Sequence, residues 1–261
     1  MWPWPILRIA AFAYRNYLFA VKNFFTFAEL LFWPLIQILS IGLMGQFLAL
    51  EPDLQAFLLT GAIVAGVLQV AQLDVAYGFL YDVWSKSVKQ TLLAPVALPD
   101  ILIGSWLFGL VRGGLAFILL SLIAAWGFGF HLPAAGTVAV AMAGVFINAL
   151  LVGMTVLFFI FLYGQRIDII AWILSVLLML VCGIYYPVGI LPEAMQPVAA
   201  ALPLTYFLEY FRIGYGFTPT FTHLLAKGFG LSAAYLVLAY VLIRFAHNRA
   251  RRTGMILKLS E

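Results

Sequence analysis

Six apolar runs, each about the roughly 20 residues needed to cross a hydrocarbon core of about 30 Å, constrain this chain more than anything else in it. They lie near 27–50, 55–79, 100–124, 137–162, 168–190 and 223–245. Lipid offers no partner to a backbone N–H or C=O, so runs of this length are read as helices that satisfy their own hydrogen bonds. The composition agrees, with 65% hydrophobic and only 9% charged residues. A soluble domain carries about 25% charged residues. The expectation is an all-α integral membrane protein of six transmembrane helices, forming a single domain over 1–261.

The basic residues orient it. Arg8, Arg15 and Lys22 precede the first run, Lys86 and Lys89 lie between the second and third, Arg166 between the fourth and fifth, and Arg244, Arg249, Arg251, Arg252 and Lys258 follow the sixth. In a six-span arrangement all of them fall on one side, while the connections at 51–54 and 125–136 contain no Lys or Arg. Cytoplasmic loops carry the excess of basic residues, so both termini are expected in the cytoplasm of a cell bounded by this inner membrane. A net charge of +4 suits anionic lipid and implies no nucleic-acid partner. Met1-Trp-Pro-Trp-Pro puts no basic residue ahead of an apolar core and does not read as a cleavable signal peptide. Cys182 has no second cysteine to pair with and reads as a small buried hydrophobe.

Three segments do not read as plain spans. Residues 4–24 set Arg8, Arg15 and Lys22 seven apart, with Ile6, Ala10, Ala13, Tyr17 and Phe24 roughly opposite, the pattern of a helix lying in the membrane interface. Residues 81–91, read as one helix, put Asp82, Ser85, Lys86, Lys89 and Gln90 on one face and Trp84, Val88 and Thr91 on the other. That makes a surface-lying docking helix or, more simply, a charged turn between spans. Residues 184–216 stay apolar and aromatic although Pro187, Pro192, Pro197 and Pro203 forbid one straight helix. Two short helices dipping into the outer leaflet fit that pattern, and Glu209 and Arg212, three apart on one of them, could pair with each other.

Few residues inside the runs carry chemistry. Arg112 sits midway along the third, where an ionised guanidinium costs at least about 3 kcal/mol, so it must face water or a partner. Asp74, Glu29 and Glu209 are the candidates, and Arg112 reads equally as a pathway residue or as half of a buried ion pair. Arg166 and Asp168 read as a border pair. Tyr185, Tyr186, Tyr206, Phe207, Tyr210 and Phe211 gather around the proline-broken segment as candidate substrate-facing rings, although aromatic belts at membrane interfaces are the commoner use. His131, His223 and His247 are far apart, and no pair has metal-ligand spacing, so neither catalytic nor metal residues are assigned. An enzyme modifying lipid within the membrane is the competing class, and would need a convergent acid or histidine cluster. A passive channel would need a repeated polar face, which no run has.

The order of a basic interfacial helix, Phe32-Trp33-Pro34-Leu35, Lys89-Gln90-Thr91-Leu92-Leu93-Ala94-Pro95, Tyr186-Pro187-Val188-Gly189-Ile190-Leu191-Pro192 and Pro203-Leu204-Thr205-Tyr206 resembles the type-2 ABC exporter permeases, over nearly the whole chain. The resemblance implies an interface helix at 4–22, a coupling helix at 81–93 and a re-entrant pair at 192–216. It implies a polysaccharide, lipid or drug as substrate, and a second copy of the permease facing the first. No G-x-x-x-x-G-K-[ST] stretch is present to cradle phosphates, so ATP and Mg belong to a separate nucleotide-binding subunit and this chain is expected to bind no cofactor.

Overall fold

The computed structural model describes residues 4–22, 24–164 and 169–252. Among these the chain is helical throughout: α1 (Trp4–Lys22), α2 (Phe24–Phe47), α3 (Pro52–Trp84), α4 (Val88–Leu93), α5 (Leu98–Phe128), α6 (Ala135–Tyr163), α7 (Ile170–Val181), α8 (Gln196–Ala201), α9 (Pro203–Ile213) and α10 (Leu224–Arg252), with a 3-10 turn at Val188–Ile190. Four of these, α3, α5, α6 and α10, are long and apolar enough to cross a membrane. The first and fifth expected spans are represented by shorter apolar helices, Leu31–Phe47 and Ile170–Val181. At 1.5 Å per residue, the 12 residues of α7 reach about 18 Å, less than a hydrocarbon core. The run at 168–190 is therefore not one helix: α7 stops at Cys182, Gly183 turns with φ +71°, and the chain continues irregularly to Pro187. Arg166, Asp168 and Lys258 lie outside the described residues.

α3 is the axis of the bundle. It begins with Pro52 in its first turn, where a missing N–H costs nothing, and with Asp53 beside the positive end of the helix dipole. From Leu59 to Val83 it is buried almost without interruption, because α2, α5, α6, α7 and α9 surround it. A helix buried on all sides must be apolar on all sides, and small residues set how closely its neighbours approach. A Cβ on Gly78 would lie 1.9 Å from Ser105 Oγ of α5, and one on Gly61 would lie 1.9 Å from the Ile184 carbonyl oxygen. The outward faces of α2, α5, α7 and α10 instead expose large apolar residues such as Phe32, Leu115, Leu177 and Val241. Lipid-facing helices have this composition.

The two ends of the bundle differ. At one end α1 packs along α5, and Arg8, Arg15, Lys86, Lys89 and the last turn of α10 with Arg251 gather around α4. At the other end lie the α2–α3 and α5–α6 connections and the segment from Tyr185 to His223. There Gly129, with φ +66°, closes α5 as a left-handed cap, and the Tyr215 hydroxyl donates to the His131 carbonyl at 2.7 Å.

Candidate functional site

The expected docking helix at 81–93 is two pieces. α3 continues to Trp84, three residues turn, and α4 covers only Val88–Leu93. The turn is a Schellman closure: Ser87 N–H donates to the Asp82 carbonyl at 2.8 Å and Lys86 N–H to the Val83 carbonyl at 3.1 Å. Lys86 occupies the left-handed position with φ +56°, which glycine usually fills. The break divides the predicted polar face. Lys86, Lys89 and Gln90 are exposed with Ser85, but Asp82 points into the protein and is 3% exposed. Trp84 stays half in the bundle, its ring 5.2 Å from that of Tyr77 and 5.8 Å from that of Tyr81, and Phe19 of α1 stacks on Tyr81 at 4.2 Å. On α4, Val88 is buried and Leu93 is 87% exposed.

Asp82 turns inward because every donor it needs is there. Nη1 of Arg15 donates to both its carboxylate oxygens at 2.7 Å, Ser87 Oγ donates to Oδ1 at 3.2 Å, and Thr91 Oγ1 donates to Oδ2 at 3.1 Å. Arg15 also donates to the Gly78 carbonyl and to Asn16 Oδ1, and its guanidinium lies 4.5 Å from the Phe12 ring centroid. About two turns earlier on α1, Arg8 Nη1 donates to the Pro95 carbonyl at 2.6 Å, and its Nε lies 3.3 Å from Asp100. Asp100 also accepts from Ala97 N–H at 2.9 Å, closing the first turn of α5.

The basic stripe of α1 is thus turned toward protein at two of its three expected positions; Lys22 is exposed. Its exposed face is apolar and aromatic, with Ile6, Leu7, Tyr14, Tyr17 and Val21 each at least half exposed. The charges of α1 thus fasten it to the bundle, while its apolar and aromatic residues are left exposed.

In the middle of the bundle Arg112 finds Asp74. Its Nη1 lies 2.5 Å from Asp74 Oδ1, and the two side chains are 6% and 1% exposed. The Phe108 ring sits 5.4 Å from the guanidinium. Of the two other candidates, Glu209 accepts instead from Phe221 N–H at 3.1 Å, and the Glu29 side chain is outside the described residues. Arg112 is therefore half of a buried ion pair, enclosed by α3 and α5.

At the opposite end the expected pairing of Glu209 with Arg212 is replaced by another arrangement. Arg212 Nη1 donates to the Gly183 carbonyl at 2.6 Å, Nη2 donates to the Ile184 carbonyl, and the Phe57 ring lies 3.4 Å from the guanidinium carbon. Glu209 and Arg212 border an outward-opening cavity of about 340 Å³ with Phe57, Cys182 and Phe217. The two short helices expected in 192–216 are α8 and α9. Their rings are mostly committed: Phe207 and Phe211 are buried, the former filling the space beside Gly144 and Gly228. The Tyr206 hydroxyl donates to the Ala200 carbonyl at 2.6 Å, that of Tyr186 to the Leu180 carbonyl, and Tyr185 accepts from Gln37. Tyr206 is buried with Phe207 and Phe211, whereas Tyr185, Tyr186 and Tyr210 are half-buried.

Sequence reasoning missed four roles: Arg8 and Arg15 as ties between helices, Thr91 as a donor to Asp82, and Gly61 as the gap that admits the Ile184 carbonyl. The heptad spacing of the arginines was visible, but what they reach is 67 residues away for Arg15 and 87 for Arg8.

The chain is 49% identical over 45 residues to an uncharacterized protein of Archaeoglobus fulgidus, a match covering 17% of this chain and 70% of that one. The profile of the ABC-2 type transporter family matches residues 14–215, from the middle of α1 through α9. That stretch includes both the α4 segment and the Arg212 arrangement, and the chain belongs to the ABC-2 type transporter family.

Proposed function

We propose that this chain is the permease subunit of an ATP-driven exporter, in which two copies face each other and a separate ATPase, carrying ATP and Mg, docks on each. The observation that carries this reading is the α4 segment. It presents Lys86, Lys89, Gln90 and the almost fully exposed Leu93 beyond the basic end of the bundle, on a base fixed by α1, α3 and α5. An apolar knob ringed by lysines suits an apolar cleft with an acidic rim on a partner. In this reading α2 and α7 complete six spans with α3, α5, α6 and α10, both termini are cytoplasmic, and α8–α9 re-enter from the outer face of the inner membrane. Non-helical backbone between α7 and α9 is tolerated at depth only where protein satisfies it, and Arg212 supplies two of the donors.

ATP-driven closure of the ATPase pair would bias the permease between two conformations by binding one better than the other. The substrate is an amphipathic or lipid-linked molecule, a polysaccharide, lipid or drug, and Tyr185, Tyr186, Tyr206 and Tyr210 are the rings to examine on its path. Arg112 holds α3 to α5 rather than meeting substrate. The family assignment favours transport over the lipid-modifying enzyme. The test is charge reversal at Lys86 and Lys89 together in permease reconstituted with its ATPase. Hydrolysis should lose its dependence on the permease while membrane insertion is unchanged; unaltered stimulation by the double variant would refute the docking role.

A further inference from the structure

Asp82 is the only described residue on which α1, α3, the Ser85–Ser87 turn and α4 all converge. Its side chain accepts from Arg15 of α1, Ser87 of the turn and Thr91 of α4, while its own backbone belongs to α3 and its carbonyl accepts the Ser87 N–H that closes the turn. At the far end of the α4 segment Arg8, from the same face of α1, takes the Pro95 carbonyl and approaches Asp100. Two arginines on one helix therefore bracket the segment, one at its entry and one at its exit.

Without those ties the segment would be weakly held. α4 has six residues, too few to be stable alone, and the turn before it depends on a lysine in a left-handed conformation. A push on α4 would then bend the turn and go no further. The buried carboxylate removes that freedom, because displacing α4 from α3 would strip hydroxyl donors from an anion that water does not reach.

We propose that Asp82 is a positioning residue that makes α1, α4 and the cytoplasmic end of α3 one rigid body, so that a load on α4 is delivered to α1 and α3 instead of being absorbed in the turn. The ATPase docking surface is then a property of α1 as much as of α4. The delivery of load rests on the exporter reading above; the rigidity does not.

Limited trypsin digestion of the full chain in detergent or proteoliposomes reads the rigidity, because Lys86 and Lys89 are exposed cleavage sites whose bonds must leave their folded geometry to be cut. Asp82→Asn should speed cleavage after these two lysines by about tenfold, the factor corresponding to one lost charge-assisted hydrogen bond. Arg15→Gln should do the same, and the double variant should be no faster than either single within about twofold, since both remove one interaction. Thr91→Val, which removes only a partly buried hydroxyl, should speed cleavage by about threefold and keeps the test decisive if the Asp82 variant does not fold. Wild-type cleavage rates in Thr91→Val and in whichever Asp82 variant folds, or additive effects in the double variant, would overturn the proposal. In proteoliposomes with the ATPase, substrate moved per ATP should fall about tenfold in Asp82→Asn, and an unchanged ratio would refute the load-bearing role. A wild-type permease that leaves hydrolysis unaffected would instead refute the exporter reading, and the digestion rates would then decide the rigid body alone.

Discussion

Arg15 and Arg212 solve the same problem at opposite ends of the bundle in different ways. Arg15 is held mainly by a carboxylate and remains 28% exposed, whereas Arg212 is 4% exposed and is held by two carbonyl oxygens and an aromatic ring. A side-chain pair depends on two residues, so replacing either one removes it. Carbonyl oxygens belong to the main chain and cannot be moved without moving the segment that bears them. The basic end thus joins three helices through one shared carboxylate, and the opposite end is held by a main-chain latch that closes the gap where α7 stops short. Arg112 lies between the two cases, an ion pair like Arg15 but enclosed like Arg212.

Variants at these three arginines should rank accordingly. The largest loss is expected from Asp74→Ala, which strands the buried Arg112 and should cost about 3–5 kcal/mol in thermal unfolding. Combining Asp74→Leu with Arg112→Met should recover most of that, as an apolar pair of similar volume needs no desolvation. If the double variant is still transport-dead at wild-type stability, Arg112 acts on substrate and not only on packing. Arg212→Gln should cost about 3 kcal/mol, because two carbonyls lose a charged donor. Gly61→Ala should cost about 1–3 kcal/mol by pushing the Ile184 carbonyl away from Arg212, and should add little to Arg212→Gln if both act through the same latch. Arg15→Gln should cost less, about 1–2 kcal/mol globally, because Ser87 and Thr91 still donate to the Asp82 carboxylate it leaves behind. A global loss as large as that of Arg212→Gln would erase the distinction between tie and latch. The smallest effect is a gain: Lys86→Gly should stabilise the end of α3 by about 1 kcal/mol, visible as slower amide exchange at Ser85–Ser87.

The same contrasts show how far the fold was legible. The helices α3, α5, α6 and α10 match their apolar runs within several residues, because the requirement to satisfy the backbone in lipid acts on each run by itself. The end of α3 was not legible, because its stop signal is a lysine where a glycine would have announced it. The 81–93 face looked continuous for that reason, and Asp82 was placed on the wrong side of it. Cys182 lies within a buried core cluster, as its isolation implied, but the run around it is broken by Gly183 rather than by any of the prolines that drew attention downstream.

From sequence alone follow the membrane class, the gathering of basic residues at one end, the proline-broken segment and the family, each a property of composition or of residues in order. The tertiary structure alone decided that Arg112 belongs to Asp74, that Arg15 reaches Asp82, and that Glu209 takes the Phe221 N–H while Arg212 takes two carbonyls. Burial in lipid depends on how apolar a segment is, which local sequence states directly. The partner of a buried charge depends on which of several distant groups the packed helices bring within about 3 Å, and only the packing fixes that.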